Sequence, residues 1–222
     1  MLRYNEEIIY FVSNTVVLLN IHINKQRFYS EHKQEIISLA VSNLNGDFIA
    51  TGEYSLINPT VHVWNCRTLE NISVLEGVHQ RGIHLLAFSA DDRFLITCGL
   101  LNPSAVIIYD WAISTVIVSS SINSPTQDIV ILKGHATADQ MLQSKTGEVF
   151  SKEEQIKMLM GKKDELKLVE GFVLLSLEMM VVFVYDRKLN EFKLSYVSMD
   201  QASDYTKSLP LCCLSILADY KN

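Results

Sequence analysis

The stretch HKQEIISLAVS, His32 to Ser42, decides the fold, because the chain repeats it as HQRGIHLLAFS, His79 to Ser89. The two histidines are 47 residues apart (79 less 32), and so are Ala40 and Ala87 (87 less 40). Each copy leads into a turn and a second apolar run: Gly46-Asp47-Phe48-Ile49-Ala50-Thr51-Gly52 in one, Asp91-Asp92-Arg93-Phe94-Leu95-Ile96-Thr97 in the other. A third run then ends on a large ring, Val61 to Trp64 in the first unit and Ala105 to Tyr109 in the second. Those rings are 45 residues apart (109 less 64), so the connecting loops differ by only two residues.

A repeat of this length falls at or just beyond the ~40–45 residues of a four-stranded propeller blade. The runs are short, rich in Val, Ile, Leu, Phe and Thr, and bounded by Gly, Asp, Asn and Pro, as strands are. IISLAVS and HLLAFS are nearly continuous in apolar residues, which suits inner strands covered on both faces. A helical reading would have to survive Gly46-Asp47, Asn58-Pro59 and Asn102-Pro103.

The sequence therefore predicts an all-β fold: a partial β-propeller of about three to four blades with a short helical insertion. Ile8–Val12, Thr15–Ile21 and Gln26–Tyr29 read as the last three strands of a first blade. Ile36–Leu75 and Ile83–Ser121 read as complete blades. A fourth starts near Asp128–Leu132 and resumes with Phe172–Leu177, Val181–Tyr185 and Phe192–Tyr196. Trp64, Tyr109 and Tyr185 are expected to end equivalent third strands, with Asn65, Asp110 and Asp186 opening the turns. In domain terms, residues 1–132 hold the first blades, 133–168 the insertion, and 169–222 the rest of the fourth blade and the first strand of another. That last strand, Leu209–Leu217, is apolar on both faces and is expected to need partners from further blades, in a longer chain or a partner. On this reading the isolated chain is expected to be insoluble or molten.

In the insertion, Ser151-Lys-Glu-Glu154 has the form of a capping box. Ile156, Leu159 and Met160 follow at helical spacing on one face. The basic residues Lys152, Lys157, Lys162, Lys163 and Lys167 cluster there as a candidate partner surface.

Composition excludes several function classes. The 222 residues carry a formal net charge of −6, the wrong sign for a general nucleic-acid binder. Phe172 to Tyr185, the longest apolar stretch, contains Glu178 and is too short to span a bilayer. Cys66, Cys98, Cys212 and Cys213 form no CxxC pair and read as reduced thiols. The six histidines make no HExxH and no Cys/His set at metal spacing, and there is no GxSxG elbow or complete phosphate loop. His22 and His84 read as partly exposed strand positions. No catalytic residue, metal or cofactor is expected, and the chain reads as a non-enzyme.

In blades of the WD-repeat kind a His before the inner strand, a Ser or Thr on the second and a Trp on the third can form a buried polar chain; His32, Thr51 and Trp64, and in the next unit His79, Thr97 and Tyr109, occupy those places. The Asp that usually completes such a chain, in the turn between second and third strands, is absent from both units. The longer loops YSLINP and LLNP stand there and are expected to hide a substitute acceptor.

With these motifs in place, the chain resembles the EMAP-like family of WD-repeat proteins and the ciliary WD-repeat proteins close to it. The resemblance rests on Ala50-Thr51-Gly52, on Pro59 to Trp64, on Val78-His79 with Gly82, on Gly99-Leu100, and on Tyr109-Asp110-Trp111. Ser124 to Ile129 matches that family's lead into the next blade. The similarity is good over about Val16 to Ile129 and looser beyond, and the 133–168 insertion departs from the family pattern. It implies a scaffold propeller that partners tubulin, microtubules or axonemal proteins, in the cytoplasm, on the cytoskeleton and in the cilium. The alternative within the same scaffold is a soluble adaptor that recruits peptide motifs for signalling or ubiquitin ligation.

Overall fold

The computed structural model describes residues 7–44, 46–135 and 168–198. The first blade has three strands, β1 (Glu7–Val12), β2 (Thr15–Asn20) and β3 (Lys25–Tyr29), paired in that order. The second has β4 (Ile36–Val41), β5 (Phe48–Ser55), β6 (Val61–Asn65) and β7 (Asn71–Leu75). The third has β8 (Arg81–Phe88), β9 (Phe94–Gly99), β10 (Ser104–Asp110) and β11 (Thr115–Ile122). The fourth has β12 (Thr126–His135), β13 (Leu168–Ser176), β14 (Met179–Asp186) and β15 (Glu191–Ser198). All pairings within blades are antiparallel. The end of β5 also bridges to the start of β8, Tyr54 opposite Gly82, joining the second and third blades into one sheet.

Local chemistry repeats with the blades. The turn after each third strand opens on Asn20, Asn65, Asp110 or Asp186. Three of these accept backbone N–H groups two residues on: Asn20 from His22, Asn65 from Arg67, and Asp186 from Lys188. The fourth residue after each, Asn24, Leu69, Ser114 and Asn190, is left-handed with φ of 49°, 64°, 54° and 56°. A side-chain acceptor followed by a left-handed residue makes a self-contained turn that fixes where the outer strand begins. It also corrects one expectation: His22 lies in this turn, not on a strand, because Asn20 ends β2.

The inner strands share a second device. The pairing of first with second strand skips one residue at Ile37, His84 and Gln127, at the same step in each blade. Such bulges bend and twist a strand locally.

Three apolar cores join successive blades. Ile9, Val16 and Leu18 pack with Ile36, Ile49 and Trp64. Ala40, Ala50, Val61, Val63 and Leu75 pack with Phe88, Leu95, Ile107 and Tyr109. Ala87, Ile96, Cys98, Val106 and Ile108 pack with Phe172, Leu174, Val181 and Phe183. Each sheet is thus sandwiched face to face with the next, as propeller blades are.

Two turn residues of the third blade reinforce this stack. Asp92 accepts the N–H groups of Asn43 (2.6 Å) and Leu44 (2.8 Å) in the second blade. Its neighbour Arg93 reaches the other way, donating to the Tyr185 hydroxyl (2.9 Å) and Asn190 (3.3 Å) of the fourth.

Tyr185 and Asp186 do end the third strand of the fourth blade. Counted through the sheet register from the bulge, however, Phe183 stands in the Trp64 and Tyr109 place, since the fourth blade's strands run further past that level. Lys133 to His135, grouped above with the insertion, prolong β12. The expected helix and Leu209–Leu217 lie outside the described residues.

Candidate functional site

The second blade carries a continuous buried polar chain. β6 brings Trp64 beside Thr51 on β5, and the loop before β4 lowers His32 onto the same spot. The Trp64 Nε1–H donates to Thr51 Oγ1 at 3.3 Å, and Thr51 Oγ1 lies 2.7 Å from His32 Nε2. On the far side of the ring, His32 Nδ1 is 3.0 Å from Glu53 Oε2. A carboxylate only accepts, so it holds the proton on Nδ1, leaving Nε2 to accept from the Thr51 hydroxyl. Every donor in the chain then points the same way, from indole to carboxylate. Glu53 is also satisfied through its other oxygen, which accepts the Thr60 N–H at 3.2 Å.

Glu53 is the substitute acceptor, and it sits on β5 itself rather than in the YSLINP loop. A Glu two residues beyond Thr51 shares its face, because strand residues alternate in direction. That spacing was available in the sequence as the signal for its role.

Two further members were not legible. Tyr29 stacks on Trp64 with ring centroids 4.2 Å apart and donates its hydroxyl toward His62 Nδ1 at 2.9 Å. His62 in turn stacks on His32 at 3.9 Å. Burial, and then the neighbouring His32, push His62 down to about 4, and burial lowers His32 against the pull of Glu53. Burial also raises the Tyr29 phenol. Both shifts favour the uncharged rings, which suits two imidazoles stacked at 3.9 Å.

The third blade has a shorter version. His79 Nε2 lies 2.6 Å from Thr97 Oγ1, but Gly99 stands in the place of Glu53 and His79 Nδ1 has no protein partner among the described residues. A Cβ on Gly99 would come within 3.0 Å of that nitrogen. Burial holds His79 down to about 4 and Tyr109, in the Trp64 place, up to about 12. In the fourth blade the same places hold Ile122, Leu174 and Phe183, all buried. His84 is turned toward that blade by its bulge, with Nε2 2.9 Å from the Thr126 hydroxyl.

Hydroxyl, imidazole and carboxylate stand in the order of a general-base relay, but Thr51, His32 and Glu53 are all buried between two blades, so the arrangement orients and holds. Among the described residues no group of three or more His, Cys, Asp or Glu could bind a metal ion, and no helix is long and apolar enough to cross a membrane. Lys152, Lys157, Lys162, Lys163 and Lys167 lie outside the described residues.

Four consecutive antiparallel blades, with a His–Thr–Trp chain in the best-formed one, define a partial WD-repeat β-propeller. The chain is 28% identical over 146 residues to rat (Rattus norvegicus) echinoderm microtubule-associated protein-like 2, covering 61% of this chain and 22% of that protein. It is 33% identical over 113 residues to the 77 kDa echinoderm microtubule-associated protein of Strongylocentrotus purpuratus, 47% of this chain and 16% of the relative. It is 29% identical over 111 residues to mouse (Mus musculus) cilia- and flagella-associated protein 52, 49% of this chain and 17% of the relative. No family model matches the chain. The chain is thus a relative of the EMAP-like and ciliary WD-repeat proteins, and it spans less than a quarter of the length of each.

Proposed function

We propose that this chain is a non-enzymatic scaffold segment of a microtubule-based assembly, resident on the cytoskeleton and in the ciliary axoneme. The observation that carries the reading is the shared relationship to proteins named as microtubule-associated and as cilia- and flagella-associated. The polar chain supports it from the physical side: its groups are bonded to one another and buried between blades rather than facing solvent. Function on such a scaffold belongs to its surfaces. Its partners are tubulin or other axonemal proteins, together with the blades that complete the ring; nucleic acid and membrane are not among them. The lysine-rich insertion is the candidate contact with an acidic tubulin surface, since the chain as a whole is acidic and long-range attraction falls off over about 8 Å at physiological salt.

The test is co-sedimentation of the full-length protein with stabilised microtubules, with and without Lys162→Glu and Lys163→Glu, alongside localisation in ciliated cells. Pelleting with microtubules and an axonemal signal support the reading. Co-purification with a ubiquitin ligase or kinase, without pelleting, would replace it with the adaptor reading.

A further inference from the structure

We propose that the loops joining second to third strands, in the second to fourth blades, form a docking surface for a basic amphipathic segment of another protein. That segment presents large aliphatic side chains flanked by Lys or Arg. The proposal does not depend on the scaffold reading above.

The loops YSLINP and LLNP stand where a substitute acceptor for the histidine is expected, yet Glu53 on β5 takes that role in the second blade. Their apolar residues are left with no part in the polar chain: Leu56 is 71%, Ile57 92% and Leu100 45% exposed. This exposure is not that of an outermost blade. The second blade packs between the first and third, and the third between the second and fourth. Nor is the longer loop collapsed. The Ser55 hydroxyl accepts the N–H groups of Ile57 and Asn58, and the Asn58 side chain accepts that of Gly77 at 3.1 Å. A loop held in this way loses little freedom when a partner binds it.

The same end of each blade repeats one register position. Tyr54, Leu100 and Leu177 donate their N–H groups to the carbonyls of Glu35, Gly82 and Pro125, in each case two residues before the bulge of the inner strand. All three are large and apolar, and Leu177 is 46% exposed. Over Gly82 the contributions of two blades meet: a Cβ there would lie 3.0 Å from Ile37, 3.3 Å from Tyr54 and 3.5 Å from Leu100. A single exposed aliphatic is ordinary. A row of them, blade after blade and joined across a junction, marks an interaction site.

Charge selects the occupant. Glu31, Glu35, Glu76 and Glu178 are exposed at this end, against Lys33 and Arg81. Glu31, Glu35 and Glu178 have no ion pair among the described residues. An apolar row beside unpaired carboxylates favours a cationic partner and repels an anionic lipid surface. The chain's own lysine-rich stretch, 152–167, departs from the other end of the fourth blade, where His135 pairs with Leu168. The occupant is therefore a segment of a different protein.

Binding of the full-length protein to two fluorescent model peptides tests this. One carries Leu and Lys at helical spacing, and the other has Glu in place of Lys. The Leu–Lys peptide should bind and the Leu–Glu peptide should not. Ile57→Asp together with Leu100→Asp should weaken binding about ten-fold or more, as loss of central contacts does. Glu35→Lys with Glu178→Lys should weaken it several-fold, and Lys33→Glu should strengthen it. Ile113→Asp, at the other end of the third blade and 68% exposed, should leave it unchanged. An unaltered melting temperature shows that a variant is folded; if the double variant melts early, Ile57→Asp alone decides. The proposal is overturned by no binding of the Leu–Lys peptide, by equal binding of the Leu–Glu peptide, or by a parent-like affinity of the Ile57 variants. An equal loss from Ile113→Asp overturns it too. Microtubule co-sedimentation is a separate readout, so the scaffold reading stands or falls apart from this one.

Discussion

The second and third blades share a backbone plan and differ in how they fill one small volume. In the second, Glu53 closes a chain that runs Trp64, Thr51, His32, carboxylate, with Tyr29 and His62 stacked over it. In the third, Gly99 leaves the chain one residue short, and Tyr109 replaces the indole. The fourth fills the same space with Ile122, Leu174 and Phe183. The difference teaches that the blade does not need the polar chain to form. What it needs is that the space be filled; the third blade even keeps His79 Nδ1 buried without a protein partner among the described residues, a group that costs about 1–3 kcal/mol when left so.

The comparison is sharpest at Trp64, fully buried between two blades and stacked on Tyr29. Trp64→Ala should destabilise the second blade by about 3–5 kcal/mol, as large core truncations do. Urea-dependent hydrogen exchange of the full-length protein should show β5 and β6 losing protection well before β13 and β14. Equal losses in both blades would mean that the blades do not respond separately.

Next comes Glu53→Ala, which converts the second blade to the third blade's pattern. It leaves His32 Nδ1 without its acceptor and should cost about 1–3 kcal/mol, read by the same exchange experiment. A loss near zero would show the Glu53 contact to be idle and would break the comparison.

Acid should loosen both blades. His62 and His79 sit at about 4, against ~6.5 for an unfolded histidine. Between those values the unfolded chain binds protons that the folded chain refuses, so stability falls as the pH drops from about 6.5 to about 4 and is level above that range. Unfolding midpoints across this range should follow that slope, and His79→Gln should make it shallower.

The smallest effect runs the other way. Gly99→Glu supplies the missing carboxylate, at the cost of a few tenths of an ångström of movement by the His79 ring, whose Nδ1 lies 3.0 Å from the new Cβ. The stability change should stay within about 1 kcal/mol. The imidazole titration followed by NMR should rise clearly above 4, since a nearby carboxylate favours the charged ring. An unmoved titration would show that side-chain identity alone does not set the difference between blades.

Much of this was legible in the chain. The 47-residue spacing aligned two blades and placed His32 and His79 before their inner strands. The strand boundaries followed from Gly, Asp, Asn and Pro punctuation to within a few residues. What the sequence hid has physical reasons. The spacing of Glu53 two residues past Thr51 puts both on one face, but nothing local shows that this face is sealed by another blade. The partnership of Tyr29 with His62 spans 33 residues and two sheets, so no periodicity reports it. The offset between Tyr185 and Phe183 arises because the turn and the sheet register are set independently, one by Asp186 and the other by the bulge at Gln127.

The adjacent pair Asp92 and Arg93 has a mechanical consequence. One residue grips the blade behind and the next grips the blade ahead, so a tug along the stack, in either direction, meets a tether rooted in the same short turn of the third blade. The turn thus adds polar ties on both sides to the apolar cores that already join the three blades.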